Sequence, residues 1–211
     1  MITDPRPTVV LVRHGATEWS ESGQHTGLTD LPLLPEGEAE ARALGPLLAK
    51  RSFAVVLSSP LARAVRTAEL AGLGDVEIDD DLLEWRYGEV EGRTTVEMRE
   101  QDPDWTVFDG AIPGGETGAQ VAERVDRVIA RCLAADVDEV ALVGHGHCLR
   151  ILGARWLGLD VRDGRSPART RQRPDRDRPR PRPRGPAGHG AHAVAACGRE
   201  PVRAATRPQP R

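Results

Sequence analysis

A chain of 211 residues, 39% hydrophobic and 29% charged, has room for one enzyme-sized domain with a sizeable core, because single cores are comfortable at roughly 100–200 residues. Its formal net charge of −3 hides a division at about residue 161. Up to there 28 Asp and Glu stand against 15 Lys and Arg, a net of −13; beyond it 4 stand against 14, a net of +10. The first twenty residues lack a basic segment leading into an apolar one, and no apolar run approaches the roughly 18 residues a membrane span needs. Secretion and membrane insertion are therefore disfavoured, and a globular, cytoplasmic protein is expected. Cys132, Cys148 and Cys197 are odd in number and widely spaced, which suggests neither a disulfide framework nor a zinc site of the CxxC kind. Aromatic residues make up only 3%, so core volume must come from Leu, Val and Ala.

The first predicted element is the run TVVLV at residues 8–12, apolar and β-branched, ending at Arg13-His14-Gly15; it reads as a buried parallel strand followed by a loop. Further strands are predicted over 53–57, 76–78 and 139–143, the last running into GHGH. Helical patterns lie over 35–50 and 60–72, each with a proline near its first turn, and over 93–101, 116–134 and 147–158. Strands alternating with helices of this length indicate an α/β fold, a three-layer sandwich with a mostly parallel central sheet and right-handed crossovers. His14, Ser58-Ser59 with Arg63 just beyond, and His145 all follow the carboxyl ends of predicted strands. Open α/β sheets gather their ligands there.

Those residue types suit one chemistry. A phosphomonoester at neutral pH carries close to two negative charges, which a catalyst must neutralise before a nucleophile approaches. Arginine presents a planar fork to phosphate oxygens and keeps its proton, and Arg13 and Arg63 are placed to do this. A histidine attacks only as neutral imidazole, through one nitrogen, while the other is held as a donor; His14 is the candidate. His145 could donate to the same oxygens. A leaving alkoxide needs a proton, and a carboxyl with a pKa raised toward neutrality supplies it and later activates water; Glu84, flanked by apolar residues in DLLEWRYGEVEG, is the candidate. The scheme requires no cofactor, and the His145–His147 pair has no third ligand at metal-binding spacing, so no metal site is expected.

LVRHGATEW at 11–19, SSPLARAVRTA at 58–68, LLEWRYGEVEG at 82–92, PGGET at 113–117 and VGHGHCLR at 143–150, in this order, resemble the histidine phosphatase (phosphoglycerate mutase-like) superfamily over about residues 8–160. The resemblance implies a phosphorylated nucleophile at His14, a phosphate pocket of Arg13, Arg63 and His145, and a proton donor at Glu84. SGQHTGLTDLPL at 22–33, together with the Glu84 and His145 motifs, is similar in wording to the branch containing fungal sedoheptulose-1,7-bisphosphatase. That likeness implies that Ser20, Thr26, Gly27, Tyr87 and Arg150 line the substrate side. Phosphoglycerate mutases of the group carry a long basic insertion between the Glu motif and the second His motif; here that stretch is short and poor in basic residues, which favours transfer to water.

The expected activity is hydrolysis of a small phosphate ester, such as a sugar phosphate or bisphosphate. The alternatives are a mutase-type phosphotransferase, or a non-catalytic protein whose basic tail binds nucleic acid. From Arg162 to Arg211 the chain is rich in Arg, Pro, Gly and Ala and has no Phe, Trp, Tyr, Leu or Ile. It is expected to be disordered, to replace the family's usual C-terminal strand and to leave a sheet edge unpaired. Nucleic-acid binding by it is disfavoured because no aromatics are interleaved. The abrupt join at LGLDVRDG matches what a shifted reading frame in a GC-rich gene would produce. Glu89, Glu91 and Glu97 read as solvated charges, Glu116 equally as a helix-start carboxylate or a residue near the site, and His147 as a cap or packing residue.

Overall fold

The computed structural model describes residues 6–165 in full and Ala193–Cys197 as backbone. Among the described residues five strands form one sheet in the order β3-β2-β4-β1-β5: β1 (Thr8–Arg13), β2 (Val55–Ser58), β3 (Val76–Ile78), β4 (Glu139–Gly144) and β5 (Ala193–Cys197). The first four are mutually parallel, with Thr8 to Arg13 of β1 in register with Glu139 to Gly144 of β4. The six α-helices among the described residues are α1 (Glu18–Ser22), α2 (Pro35–Leu48), α3 (Ala62–Leu70), α4 (Thr95–Arg99), α5 (Gly118–Ala134) and α6 (Gly146–Trp156).

Side-chain alternation along the central strands divides the core in two. Val9, Leu11, Val140 and Leu142 pack with Val121 and Val125 of α5 and Ile151 and Leu152 of α6. Their neighbours Val10, Val12, Ala141 and Val143 pack with Leu44 and Leu48 of α2 and Ala64 and Ala68 of α3. Helices therefore cover both faces, which is the expected sandwich. The chain leaves β1 toward the α2–α3 face and leaves β4 toward the α5–α6 face. Between the ends of these adjacent strands lies the kind of crevice where open sheets bind ligands.

Two expectations for the C-terminal stretch change. The acidic domain does not stop at residue 161: Val161–Arg165 forms a 3₁₀ turn, and Arg162 and Arg165 pair with Asp109 at 3.4 and 2.6 Å. Nor is the edge beside β1 unpaired, because β5 runs antiparallel to it, with a register irregularity between Val9 and Leu11. A strand that adds to an edge through main-chain hydrogen bonds needs no large side chains, and AVAAC has none to signal it. The remaining readings of the tail, its disorder, altered coding and nucleic-acid binding, fall on 166–192 and 198–211, outside the described residues. Among the described residues no helix is long and apolar enough to cross a membrane.

Candidate active site

The end of β1 carries Arg13 and His14 directly beside the end of β4, where the His14 N–H donates to the Gly144 carbonyl at 3.0 Å. The turn that follows is tight: a Cβ on Gly15 would come within 2.3 Å of the Gly37 carbonyl oxygen, so only glycine fits. Thr67 of α3 accepts the Gly15 N–H at 3.0 Å and donates to the Arg63 carbonyl at 2.7 Å, tying this turn to the second motif.

His14 is buried, and its Nδ1 lies 2.7 Å from the Gly15 carbonyl oxygen. A carbonyl only accepts, so Nδ1 carries the proton and Nε2 keeps its lone pair. Burial, then the charges of Arg13 and Arg63, pull the imidazole down to about 3, so the ring is neutral across the physiological range. Arg13 lines the same pocket. Its Nε is buried without a hydrogen-bond partner among the described residues, a donor held out of water and still unspent. Burial lowers its pKa, and Glu84 counters that.

Arg63 and His145 lie beneath this pair with fully buried side chains. Arg63 Nε–H donates to His145 Nδ1 at 3.2 Å, which puts the imidazole proton on Nε2, 2.7 Å from Ser59 Oγ. Burial and then the neighbouring His14 hold His145 well below the ordinary imidazole range. The two histidine rings are 5.1 Å apart. The terminal nitrogens of Arg63 donate to the carbonyls of Thr26, Gly27 and Thr29. These two residues thus brace the floor of the pocket from behind, engaged with protein groups.

Glu84 reaches the pocket from the loop after β3. Helix α6 has no side-chain cap of its own on His145, and Glu84 supplies the missing acceptor from sixty residues away. Its Oε2 accepts the His147 N–H at 2.9 Å, and its Oε1 accepts the N–H groups of Cys148 and Trp85 at 2.8 and 2.9 Å. A carboxylate at a helix N-terminus is favoured by the unpaired N–H groups and the dipole. Oε2, with one main-chain bond, retains a position for a proton.

These groups open into a pocket of about 370 Å³. Ser20, Thr26, Tyr87 and Arg150 line it, although Ser20 Oγ is engaged with the main chain of Thr17 in the cap of α1. Gly27 does not line it. Its N–H donates to Glu91 at 2.8 Å, its carbonyl accepts from Arg63, and a Cβ there would strike Glu91 and the Trp85 carbonyl. Glu91 is therefore no solvated charge: it shapes the loop whose carbonyls hold Arg63.

The sequence did not signal the upper wall. His25, Trp19, Thr95, Arg99, Phe108, His147 and Arg165 also line the pocket. Tyr87 Oη lies 2.7 Å from His147 Nδ1, and burial keeps the phenol protonated and the imidazole neutral. The ring of His25 lies 5.0 Å from that of Tyr87 and 6.0 Å from that of His147, Phe108 lies 5.5 Å from His147, and Trp105 packs on His25 at 5.5 Å. The HxH spacing at the start of α6 was the available hint, and it divides the two histidines between floor and wall. Among the described residues no group of three or more His, Cys, Asp and Glu could hold a metal ion.

Residues 9–171 match the family described as the histidine phosphatase superfamily (branch 1). The chain belongs to this superfamily. This histidine phosphatase is 40% identical over 159 residues to an acid phosphatase of Mycobacterium tuberculosis, covering 74% of the chain and 78% of that protein. It is 35% identical over 188 residues to sedoheptulose 1,7-bisphosphatase of Saccharomyces cerevisiae, covering 74% of the chain and 69% of that protein. A solved structure of a Mycobacterium tuberculosis open reading frame product superposes with a TM-score of 0.72 at 40% identity, covering 75% of this chain and 84% of that one.

Proposed function

We propose that this histidine phosphatase hydrolyses small phosphomonoesters in two steps through a phosphohistidine on His14. The observation that carries the proposal is the tautomer: Nδ1–H is bound to the Gly15 carbonyl, leaving a neutral Nε2 lone pair on a side chain that lines the pocket. In the first step Nε2 attacks phosphorus, the N–P bond forms, the bond to the ester oxygen breaks, and Glu84 Oε2 gives that oxygen its proton. Arg13, with its unspent Nε–H, meets the phosphoryl oxygens. His145 Nε2–H turns toward them from Ser59, and Arg63 fixes its tautomer. In the second step Glu84 takes a proton from water as its oxygen bonds to phosphorus and the N–P bond breaks.

The substrate class follows from the wall. A domain with 29 Asp and Glu against 17 Lys and Arg through residue 165, a net charge of −12, lines this pocket with Arg13, Arg99, Arg150 and Arg165 against a single carboxylate, Glu84. That inversion suits a small ester with further anionic or hydroxyl groups, such as a sugar phosphate or bisphosphate, in keeping with the name of the Saccharomyces cerevisiae relative. The test is hydrolysis of p-nitrophenyl phosphate with chelator present, beside His14→Ala, with phosphate trapped on the protein after rapid quench. Chelator-resistant turnover and acid-labile phosphate, both lost in the variant, are expected. Turnover that survives His14→Ala overturns the mechanism.

A further inference from the structure

The PGGET motif and one buried arginine, Arg124 of α5, take no part in the reaction just described. Resting on the assignment of Glu84 as proton donor, we propose that Arg124, charge-balanced by Glu116, is a positioning residue for that donor: it clamps the main chain that carries Glu84.

The side chain of Arg124 is almost wholly buried, yet every part of the guanidinium is engaged. Nε and Nη2 form a fork onto Glu116 Oε1 and Oε2 at 3.1 and 3.2 Å. Nη1 donates to the carbonyls of Asp81 and Leu83 at 2.8 and 2.6 Å, and Nη2 to that of Glu84 at 3.1 Å. One side chain therefore satisfies three carbonyls on the four-residue approach to the proton donor, a stretch without regular strand or α-helical partners. Only a guanidinium offers that many donors in a rigid plane. Its charge out of water needs a counter-charge, which explains a carboxylate in PGGET.

Glu116 then holds the other side of Glu84. Its Oε2 accepts the Arg86 N–H at 2.9 Å and its carbonyl accepts Trp85 Nε1 at 2.7 Å. Arg124 Nη1 also meets Cys148 Sγ at 3.5 Å; burial pushes this thiol up to about 12, so it is a neutral acceptor, and its own N–H is one of the three that fix the Glu84 carboxylate. The clamp and the start of α6 thus locate Glu84 from both ends. Proton transfer depends on that placement at the scale of an ångström, whereas attack by His14, built on β1, does not.

The test compares kcat/KM, which reports the steps through phosphorylation and leaves out the water step common to both esters, for p-nitrophenyl phosphate, whose leaving group needs no proton, and for glycerol phosphate, whose leaving group does, in the full chain and in Arg124→Lys, Glu116→Gln and Glu84→Gln. The clamp variants are expected to slow the alkyl ester by about tenfold, part of the roughly 10²–10⁴ that general acid catalysis supplies, and the aryl ester by less than about threefold. Thermal melts confirm folding, and if Arg124→Lys does not fold, the isosteric Glu116→Gln decides. Equal slowing of both esters, no slowing of either, or loss of folding in both clamp variants overturns the proposal. If Glu84→Gln itself slows both esters equally, the acid assignment falls first and the clamp with it. If Glu84→Gln is selective and the clamp variants are not, the clamp alone falls.

Discussion

The floor and the mouth of the pocket are built on different principles. The floor residues His14, Arg63 and His145 sit at or just beyond the ends of β1, β2 and β4, and each bonds to a partner from a separate motif. The mouth is carried by the five-residue helix α4, the stretch around Phe108, the first turn of α6 and a 3₁₀ turn. Its arginines are held lightly: Arg99 and Arg150 bond to the carbonyls of Trp105 and Gly146, and Arg165 to the Arg162 carbonyl and to Asp109. Strand ends and buried hydrogen bonds fix the floor, which suits a group that never varies, the phosphoryl. Short elements with spare donors suit the part of the ester that differs between substrates.

If that division holds, floor substitutions act on kcat. The largest effect is expected for His14→Ala, which removes the nucleophile with no neighbour able to replace it and lowers kcat by about 10⁵-fold or more. Next is Arg63→Lys. An ammonium cannot reach His145 and three carbonyls together, so the His145 tautomer is released, with kcat falling about 10²-fold and stability by about 3 kcal/mol from a buried charge without its fork. Steady-state kinetics and denaturant unfolding measure both. An Arg63→Lys enzyme with unchanged kcat would break the comparison at its strongest point.

The same division explains what could be read from the sequence. The four parallel strands and the longer helices were legible because TVVLV and EVALV are β-branched runs and α5 keeps its apolar positions three and four apart. The floor was legible because its residues follow strand ends, a rule that needs no tertiary information. Helix α1 was missed because five residues hold barely one turn of periodicity, too little for a pattern. The mouth was read in part, since Ser20, Thr26, Tyr87 and Arg150 line the pocket as the family wording implied, but His25, Phe108, His147 and Arg165 are far apart in sequence and each gives no signal by itself. Arg165 shows the failure most clearly: a change in composition placed it in the tail, whereas its pairing with Asp109 binds it to the domain. Gly27 erred the other way, since its wording suggested substrate contact and its N–H and carbonyl serve Glu91 and Arg63 instead.

Mouth substitutions should raise KM and spare kcat. Arg165→Ala is expected to raise KM for a bisphosphate by about five- to tenfold, roughly 1 kcal/mol for a half-exposed charge, while KM for p-nitrophenyl phosphate hardly moves. The contrast between the two esters is the sharper readout, because a distorted floor would raise both. A fall in kcat equal to the change in kcat/KM would show instead that Arg165 acts on the chemistry and that floor and mouth are not separable.

A last effect is on stability against pH, and it again separates the two regions. His14 is held neutral in the folded chain down to about 3, while an unfolded imidazole takes up its proton near 6.5. Between those values the unfolded chain binds more protons, so stability falls as pH falls. At pH 5.5 this one group is expected to cost about 1.4 kcal/mol relative to the region above 6.5. Its share of the acid limb should therefore vanish in His14→Ala. His145, also held well below the ordinary range, keeps the limb from disappearing altogether. Arg165→Ala removes no group that titrates in this window and should leave the limb parallel to the parent's. Unfolding free energies at pH 7.0 and 5.5 for the three proteins measure it, and a His14→Ala chain with the parent's acid slope would mean that His14 is already protonated in the folded state, which the bond to the Gly15 carbonyl permits but nucleophilic attack does not.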